Sequence, residues 1–298
     1  KLIGYMTDIY FKGTTGTKTL YDLAEAVLVD ADLPLTSELE KPWYIDPSLA
    51  DISTTAVLPI DAHRNLLQMI AHAGMCRFYT DGNGIARLEP FEIPTEPGDF
   101  SIDFTSASDQ PKISKTEPLY SINVLMYSDS VASVSTELHK STFAVSGSTP
   151  FYAEFGAAQD VSVSITGGTL SNVKTYARAV EATITAAGSV TVTVTGKSIT
   201  TTTSGSPYVA GVDGETEVIE NPLVTSLAHK QALEQHIANY LSLRNTYEVP
   251  YRGNPELEAG DLISLQSSFT PSFPALTLKH VISYNGALRG SGIFKKVG

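Results

Sequence analysis

The chain has 298 residues, enough for two or three domains with a sizeable core, and its 42% hydrophobic and 17% charged residues describe a globular protein rather than a disordered one. Twenty Lys and Arg against 32 Asp and Glu leave a net charge of −12. With no basic run, the sequence is a poor binder of nucleic-acid backbones, which are held largely through counterion release at Lys and Arg clusters.

The single cysteine excludes an intrachain disulfide, and no apolar run approaches the roughly 20 residues that cross a bilayer. No signal-peptide pattern opens the chain, and from Lys1 in place of Met a trimmed chain or a piece of a longer polypeptide is expected. Leu2, Ile3, Tyr5, Met6, Ile9, Tyr10 and Phe11 suit a strand or a short helical entry. Thr19 is a natural N-cap for a helix whose stripe is Leu20, Leu23, Ala24, Val27 and Leu28, with Asp22 in its first turn and an end near Asp32. Pro34, Pro42, Pro47 and Pro59, around the lone Trp43, predict irregular chain with a short strand at Ala56–Leu58.

Asp61 reads as the next N-cap, and the helix after it places Leu66, Leu67, Ile70 and Ala71 on one face before stopping at Gly74. Cys76, Phe78 and Tyr79 then lead into Asp81-Gly82-Asn83-Gly84, and Ile85, Arg87, Leu88 and Pro90 lead out, which is the pattern of a hairpin. Met75 and Phe78 beside Cys76 favour a buried thiol. Pro94, Pro97 and Gly98 mark a boundary, followed by strands at Phe100–Phe104 and Tyr120–Tyr127.

From Ser128 to about Glu217 the composition shifts to Ser, Thr, Val, Ala and Gly. Val161, Val163 and Ile165 alternate with Ser and Thr, as do Val190, Val192 and Val194 with Thr, so these are strands with one buried face in an antiparallel sandwich or small barrel. After Asn221-Pro-Leu a helix is expected to bury Leu227, Leu233, Ile237 and Leu241, with Ala228, Ala232 and Ala238 beside them. Tyr247, Val249 and Tyr251 form a strand; Gly253-Asn254-Pro255 turns it, and Gly260-Asp261 launches Leu262, Ile263 and Leu265. Leu276, Leu278, His280, Val281-Ile282 and Tyr284 form another strand, which turns at Asn285-Gly286 and returns from Leu288 to Val297.

Residues able to carry chemistry are scattered. The six histidines make no zinc spacing; His229 and His236 lie seven apart and can share a helical face, while His63 and His72 fall on opposite faces of theirs. Asp81-Gly82-Asn83-Gly84 fails as an EF-hand loop, because Ile85 and Ala86 stand where a third oxygen ligand and a glycine are needed. Glu215, Glu217 and Glu220, and Glu256, Glu258 and Asp261, offer paired carboxylates for a glycosidase, but turn-edge acids are ordinarily solvated. Gly196-Lys197-Ser198 lacks the first glycine of a P-loop, since Thr191 stands there. Catalytic, cofactor and metal sites are therefore expected to be absent. Phe151, Tyr152 and Phe155, clustered after Pro150, are candidate contacts for a protein partner or a glycan, against the plainer reading of a small core under a loop.

What goes further is a resemblance. The order "NPL, helix, LxxR, Tyr, RGNPELEAGD, strand" over Asn221–Gly298, and the helix "LLQMIAHAG" before the hairpin "RFYTDGNGIARLEP" in Thr54–Pro90, resemble bacteriophage tail proteins of the baseplate-hub or tail-associated type. The resemblance implies a non-enzymatic structural component of a phage or prophage tail tip. It would be trimeric, assembled in the bacterial cytoplasm, carried in the virion tail, and in contact with other tail proteins. The fold expected is α+β and mainly β. It has a small α+β domain at 1–97, a β-rich host domain at 98–127 and 218–298 with one helix near 225–244, and an inserted sandwich-like domain at 128–217. A carbohydrate- or receptor-binding tail module is the alternative, and a peptidoglycan hydrolase the third.

Overall fold

The computed structural model describes residues 17–33, 42–103, 106–266 and 271–297. The apolar opening at residues 1–11 and Phe104 lie outside them. The fold is α+β and mainly β, and it divides into two compact units. One comprises Lys1–Pro90, Val124–Ser206 and Glu220–Leu233; the other comprises Phe91–Asn123, Pro207–Ile219 and Glu234–Gly298. The stretch expected as an insert is thus shared, with 128–206 in the first unit and 207–217 in the second.

Strand β1 (Lys18–Thr19) runs into helix α1 (Leu20–Asp30) through a capping box. The Asp22 N–H donates to Thr19 Oγ1 and the Thr19 N–H to Asp22 Oδ2, each at 3.1 Å, so two backbone donors at the helix start are satisfied at once. The stripe foreseen from Leu20 to Leu28 is buried. Strand β2 (Trp43–Ile45) and a 3-10 turn at Pro47–Asp51 precede β3 (Ser53–Thr54), which pairs with β1. The strand expected at Ala56–Leu58 is not formed, although all three side chains are buried. Thr54 Oγ1 accepts the Ala56 N–H at 3.1 Å and takes the chain out of the ladder, and Pro59 has no N–H to restore it.

Helix α2 (His63–Ala73) is capped by Ala62, not Asp61. Asp61 sits one residue earlier and accepts from the Ala62 N–H at 2.7 Å and from Asn65 Nδ2 at 2.9 Å. At the other end Gly74 has an ordinary φ of −81°, and Met75 takes the left-handed turn at φ 54°. Gly74 is glycine for room: a Cβ there would lie 2.2 Å from Leu49 Cδ2. Strands β4 (Cys76–Thr80) and β5 (Ala86–Pro90) form the expected hairpin, and β2 adds to it in parallel. Asp81 Oδ1 holds its turn by accepting the N–H groups of Asn83 and Ile85 at 2.9 and 3.0 Å. Leu23, Leu49, Leu66, Ile70, Leu88 and Leu223 close the core beneath.

After β6 (Ser101–Ile102), β7 (Lys112–Lys115) and β8 (Leu119–Val124) comes a long ribbon. It consists of β9 (Met126–Val131), β10 (Thr136–Glu154), β11 (Ala158–Thr166), β12 (Thr169–Thr175) and β13 (Ala179–Ser204). The 26-residue β13 carries every ladder: β10 lines one edge, β12 and β11 follow one another along the other, and β9 pairs with its last six residues. Phe143 and Phe151 are eight residues apart on β10, about 26 Å along a straight strand, yet their rings stack with centroids 5.9 Å apart. The ribbon is therefore doubled back. The bend falls at Gly147 (φ 87°), opposite Ala186, and at Gly167 (φ 91°), where a Cβ would meet Ser189 O at 2.5 Å. Val145, Ile184, Val190 and Val192 fill the fold, so the expected sandwich is built from one bent antiparallel sheet.

In the second unit β14 (Tyr208–Val209) and β15 (Glu215–Ile219) flank β8. Helix α3 (Leu227–Leu241) departs from the expected stripe, because Leu227, Ala228 and Ala232 are exposed while His229, Lys230 and Glu234 are buried. His229 Nε2 donates to Ala73 O at 2.7 Å and Lys230 Nζ to Ser206 O at 2.8 Å, and such bonds are what make burial of polar groups tolerable. Strands β16 (Asn245–Tyr251), β17 (Leu262–Leu265), β18 (Phe273–Tyr284) and β19 (Leu288–Lys296) build a six-stranded sheet in the order β6-β17-β18-β19-β16-β7. Its core is Ile102, Val249, Tyr251, Ile263, Leu265 and Phe294.

Candidate assembly surfaces

The Asn221-Pro222-Leu223 motif is a buried staple. Asn221, 2% exposed, donates from Nδ2 to Met69 O at 2.9 Å, with His72 Nδ1 3.3 Å away, and its Oδ1 accepts the Leu223 N–H at 3.1 Å. Beside it, Ala73 O belongs to the last turn of α2, where carbonyls have no helical partner, and the His229 bond satisfies it. A carbonyl only accepts, so His229 carries a proton on Nε2.

Burial holds both His72 and His229 below the ordinary imidazole value, the bond to Ala73 opposing the shift at His229. The folded state therefore binds fewer protons than the unfolded one below about pH 6.5. The resulting stability is complete above that pH and is lost as pH falls through it. Thermal melts between pH 7.5 and 5 are expected to show this fall, and His229→Gln, which keeps an N–H donor but does not titrate, to show less of it. An unchanged slope in the variant would remove His229 from the account.

The clearest exposed apolar feature is the end of the β18–β19 hairpin. Strand β17 meets β18 only over Phe273–Leu276 and β16 meets β19 only over Gly290–Lys295. Towards the turn at Asn285-Gly286, Val281–Tyr284 pairs with Leu288–Ser291 and, among the described residues, has no partner on its other edge; Ser283–Tyr284 against Leu288–Arg289 is a two-stranded ribbon, while Gly290 and Ser291 still pair with β16. Val281 is 48% exposed, Ile282 37% and Tyr284 77%. Adjacent residues point to opposite faces, so the ribbon is apolar on both, and the exposed Lys279 and Arg289 flank it. The sequence carries the signal: alternation up to His280 breaks at the consecutive Val281-Ile282, which a one-sided strand would not have.

The three candidate contact residues do not form one platform. Phe151 is half-buried, stacked on Phe143 and 6.3 Å from the His139 ring, and Phe155 is half-buried against Ala153, Val180 and Val194. Tyr152, next to Phe151, faces solvent and donates its hydroxyl to Glu154 Oε1 at 2.8 Å. Partial burial, that bond and the charges of Glu154 and Glu181 push its phenol up to about 12.

The carboxylates weighed for hydrolysis, Glu215, Glu217, Glu220, Glu256, Glu258 and Asp261, are all exposed, and Asp261 Oδ2 accepts the Glu258 N–H at 2.8 Å within its turn. Cys76 donates to Gly74 O at 3.2 Å, and burial, with Asp46 and Glu89 nearby, pushes its thiol up to about 12. Among the described residues no three of His, Cys, Asp or Glu stand close enough to hold a metal, and no helix is long and apolar enough to cross a membrane.

No protein-family model matches the sequence, and comparison with curated proteins gives no match. Among solved structures the chain is similar to the tail protein from Neisseria meningitidis MC58, with a TM-score of 0.50 and 7% identity, covering 95% of this chain and 69% of that one. It is also similar to the 43 kDa tail protein of prophage MuSo2 from Shewanella oneidensis, with a TM-score of 0.49 and 9% identity, covering 99% and 69%. At such identities the likeness is one of fold, and a fold alone does not assign a function. Over nearly its whole length, then, this chain has the fold of the Neisseria tail protein, in keeping with the tail-protein motifs in its sequence.

Proposed function

We propose that the chain is a structural, non-enzymatic component of a phage or prophage tail, hub-like and placed at the tip or baseplate, working through contacts with copies of itself and with neighbouring tail proteins. The likeness to the Neisseria tail protein over 95% of the chain carries this reading, and the two-faced apolar ribbon at Val281–Tyr284 supplies a surface for such contacts. On this reading the protein is assembled in the bacterial cytoplasm and ends in the virion tail.

Light scattering on the purified chain is expected to give a trimer, three times 31.9 kDa, alone or with the products of adjacent tail genes. Ile282→Asp with Tyr284→Asp is expected to abolish that association while leaving the melting temperature within about 2 °C, since surface changes usually cost under about 0.5 kcal/mol. A monomer at every concentration, with no capture of tail partners, would sink the proposal.

A glycan-binding reading is favoured by one observation, the exposed Tyr152 beside Glu154 on the ribbon, an aromatic face next to a hydrogen-bonding carboxylate. Binding of the chain to cell-wall glycans that Tyr152→Ala removes would support it, and an unaltered binding profile would set it aside.

A further inference from the structure

A cavity of about 170 Å³ lies at the foot of the ribbon, in the first unit. It has an aliphatic floor of buried Val57 and Ala158, walls of Ile199 and Val131, and a rim carrying Asp129 and Gln159. The β9–β13 ladder sets this lining: Val131 stands opposite Ile199, and Asp129 opposite Thr201 two residues along. Residues two apart share a face, so the apolar pair and the Asp129–Thr201 pair lie about 7 Å apart on the same surface. Asp129 accepts one hydrogen bond, from Thr201 Oγ1 at 2.5 Å, and among the described residues forms no salt bridge. A carboxylate has room for about four such contacts, so most of its acceptor capacity is unused. The half-buried Arg178 feels its charge and has its Nε without a hydrogen-bond partner.

We propose that this cavity is a socket for a lysine side chain presented by a neighbouring tail protein, laid along the β9–β13 face so that its methylenes cover Val131 and Ile199 before its ammonium reaches Asp129. Lysine fits because its long stem is aliphatic and its charge compact, a point donor for the single carboxylate of Asp129, whereas arginine ends in a broad planar guanidinium. The net charge of −12 also draws basic partners towards the chain. The identity of the partner rests on the tail-component reading, but the chemistry of the socket does not.

Methyl NMR of the full chain, labelled at Ile and Val, tests it with n-pentylammonium, 1-pentanol and pentanoate as probes. Pentylammonium is expected to shift the methyls of Ile199, Val57 and Val131 at lower concentration than pentanol, and pentanoate to do least. Asp129→Asn is expected to weaken pentylammonium about threefold to tenfold, as loss of a charged but partly exposed hydrogen bond should, and to leave pentanol unchanged. Val131→Trp in the wall should block all three. Equal binding of pentylammonium and pentanol, which would mean that Arg178 already neutralises Asp129, overturns the proposal, as does the absence of shifts with any probe. The comparison of probes on the unaltered chain decides the matter even where a variant folds poorly. A monomer that still binds pentylammonium would remove the tail partner and keep the socket.

Discussion

Asn221→Ala is expected to lower the unfolding free energy by about 3 kcal/mol, read as a shift of the urea midpoint. The side chain is buried, and its removal leaves the Leu223 N–H unpaired in an apolar setting and takes from Met69 O its second donor. A buried donor without a partner costs about 1–3 kcal/mol, and the space left beside α2 adds to it. Asn221→Asp should fare no better. It keeps an acceptor for Leu223 but sets a carboxylate oxygen against the Met69 carbonyl. A loss under about 1 kcal/mol for the alanine variant would mean that the motif is a turn and not a staple.

Gly292→Ala should cost about 2–3 kcal/mol for a single methyl. The Phe294 ring, fully buried, folds over Gly292, so that a Cβ there would lie 2.2 Å from Phe294 Cζ. On a strand held on both edges, by β18 and β16, the backbone has little freedom to yield. The ring must leave its place, and Phe294 is among the largest fully buried side chains. Phe294→Ala alone should cost about 3–5 kcal/mol. In that background Gly292→Ala should cost almost nothing, because the atom it collides with is gone. Additive losses in the double variant would show that the glycine serves the backbone and not the ring.

Much of the fold was legible because it depends on local chemistry. The Thr19 N-cap with Asp22 in the first turn, the stripe at Leu66, Leu67, Ile70 and Ala71, the Asp81–Gly84 turn and the alternation of Val190, Val192 and Val194 each show within a few neighbouring residues. The misplacements share a cause. Asp61 binds Ala62 and Asn65 instead of capping, and the strand expected at Ala56–Leu58 is lost to a side-chain bond from Thr54. The buried face of α3 is set by His229 reaching Ala73 O, 156 residues away. Hydrophobic periodicity does not register a polar residue that is buried because a distant carbonyl receives it. The exposed ribbon at Val281–Tyr284 was foreseen only as a strand, though the consecutive Val281-Ile282 leaves a trace of it, whereas the socket at Asp129 leaves none, because it needs Val57, Val131 and Ile199 brought together from three separate stretches.

The dependence of the long ribbon on one strand bears on how the chain is made. As the polypeptide leaves the ribosome, β9, β10, β11 and β12 emerge in turn, yet the ladders of all four run to β13, which emerges last. Until Ala179–Ser204 is translated, four segments, among them β11 with Val161, Val163 and Ile165 on alternate positions, wait with open edges, the condition in which strands of different chains join. The sheet then closes in one late event, and a nascent chain stopped before Ala179 carries four strands with nothing to zip onto.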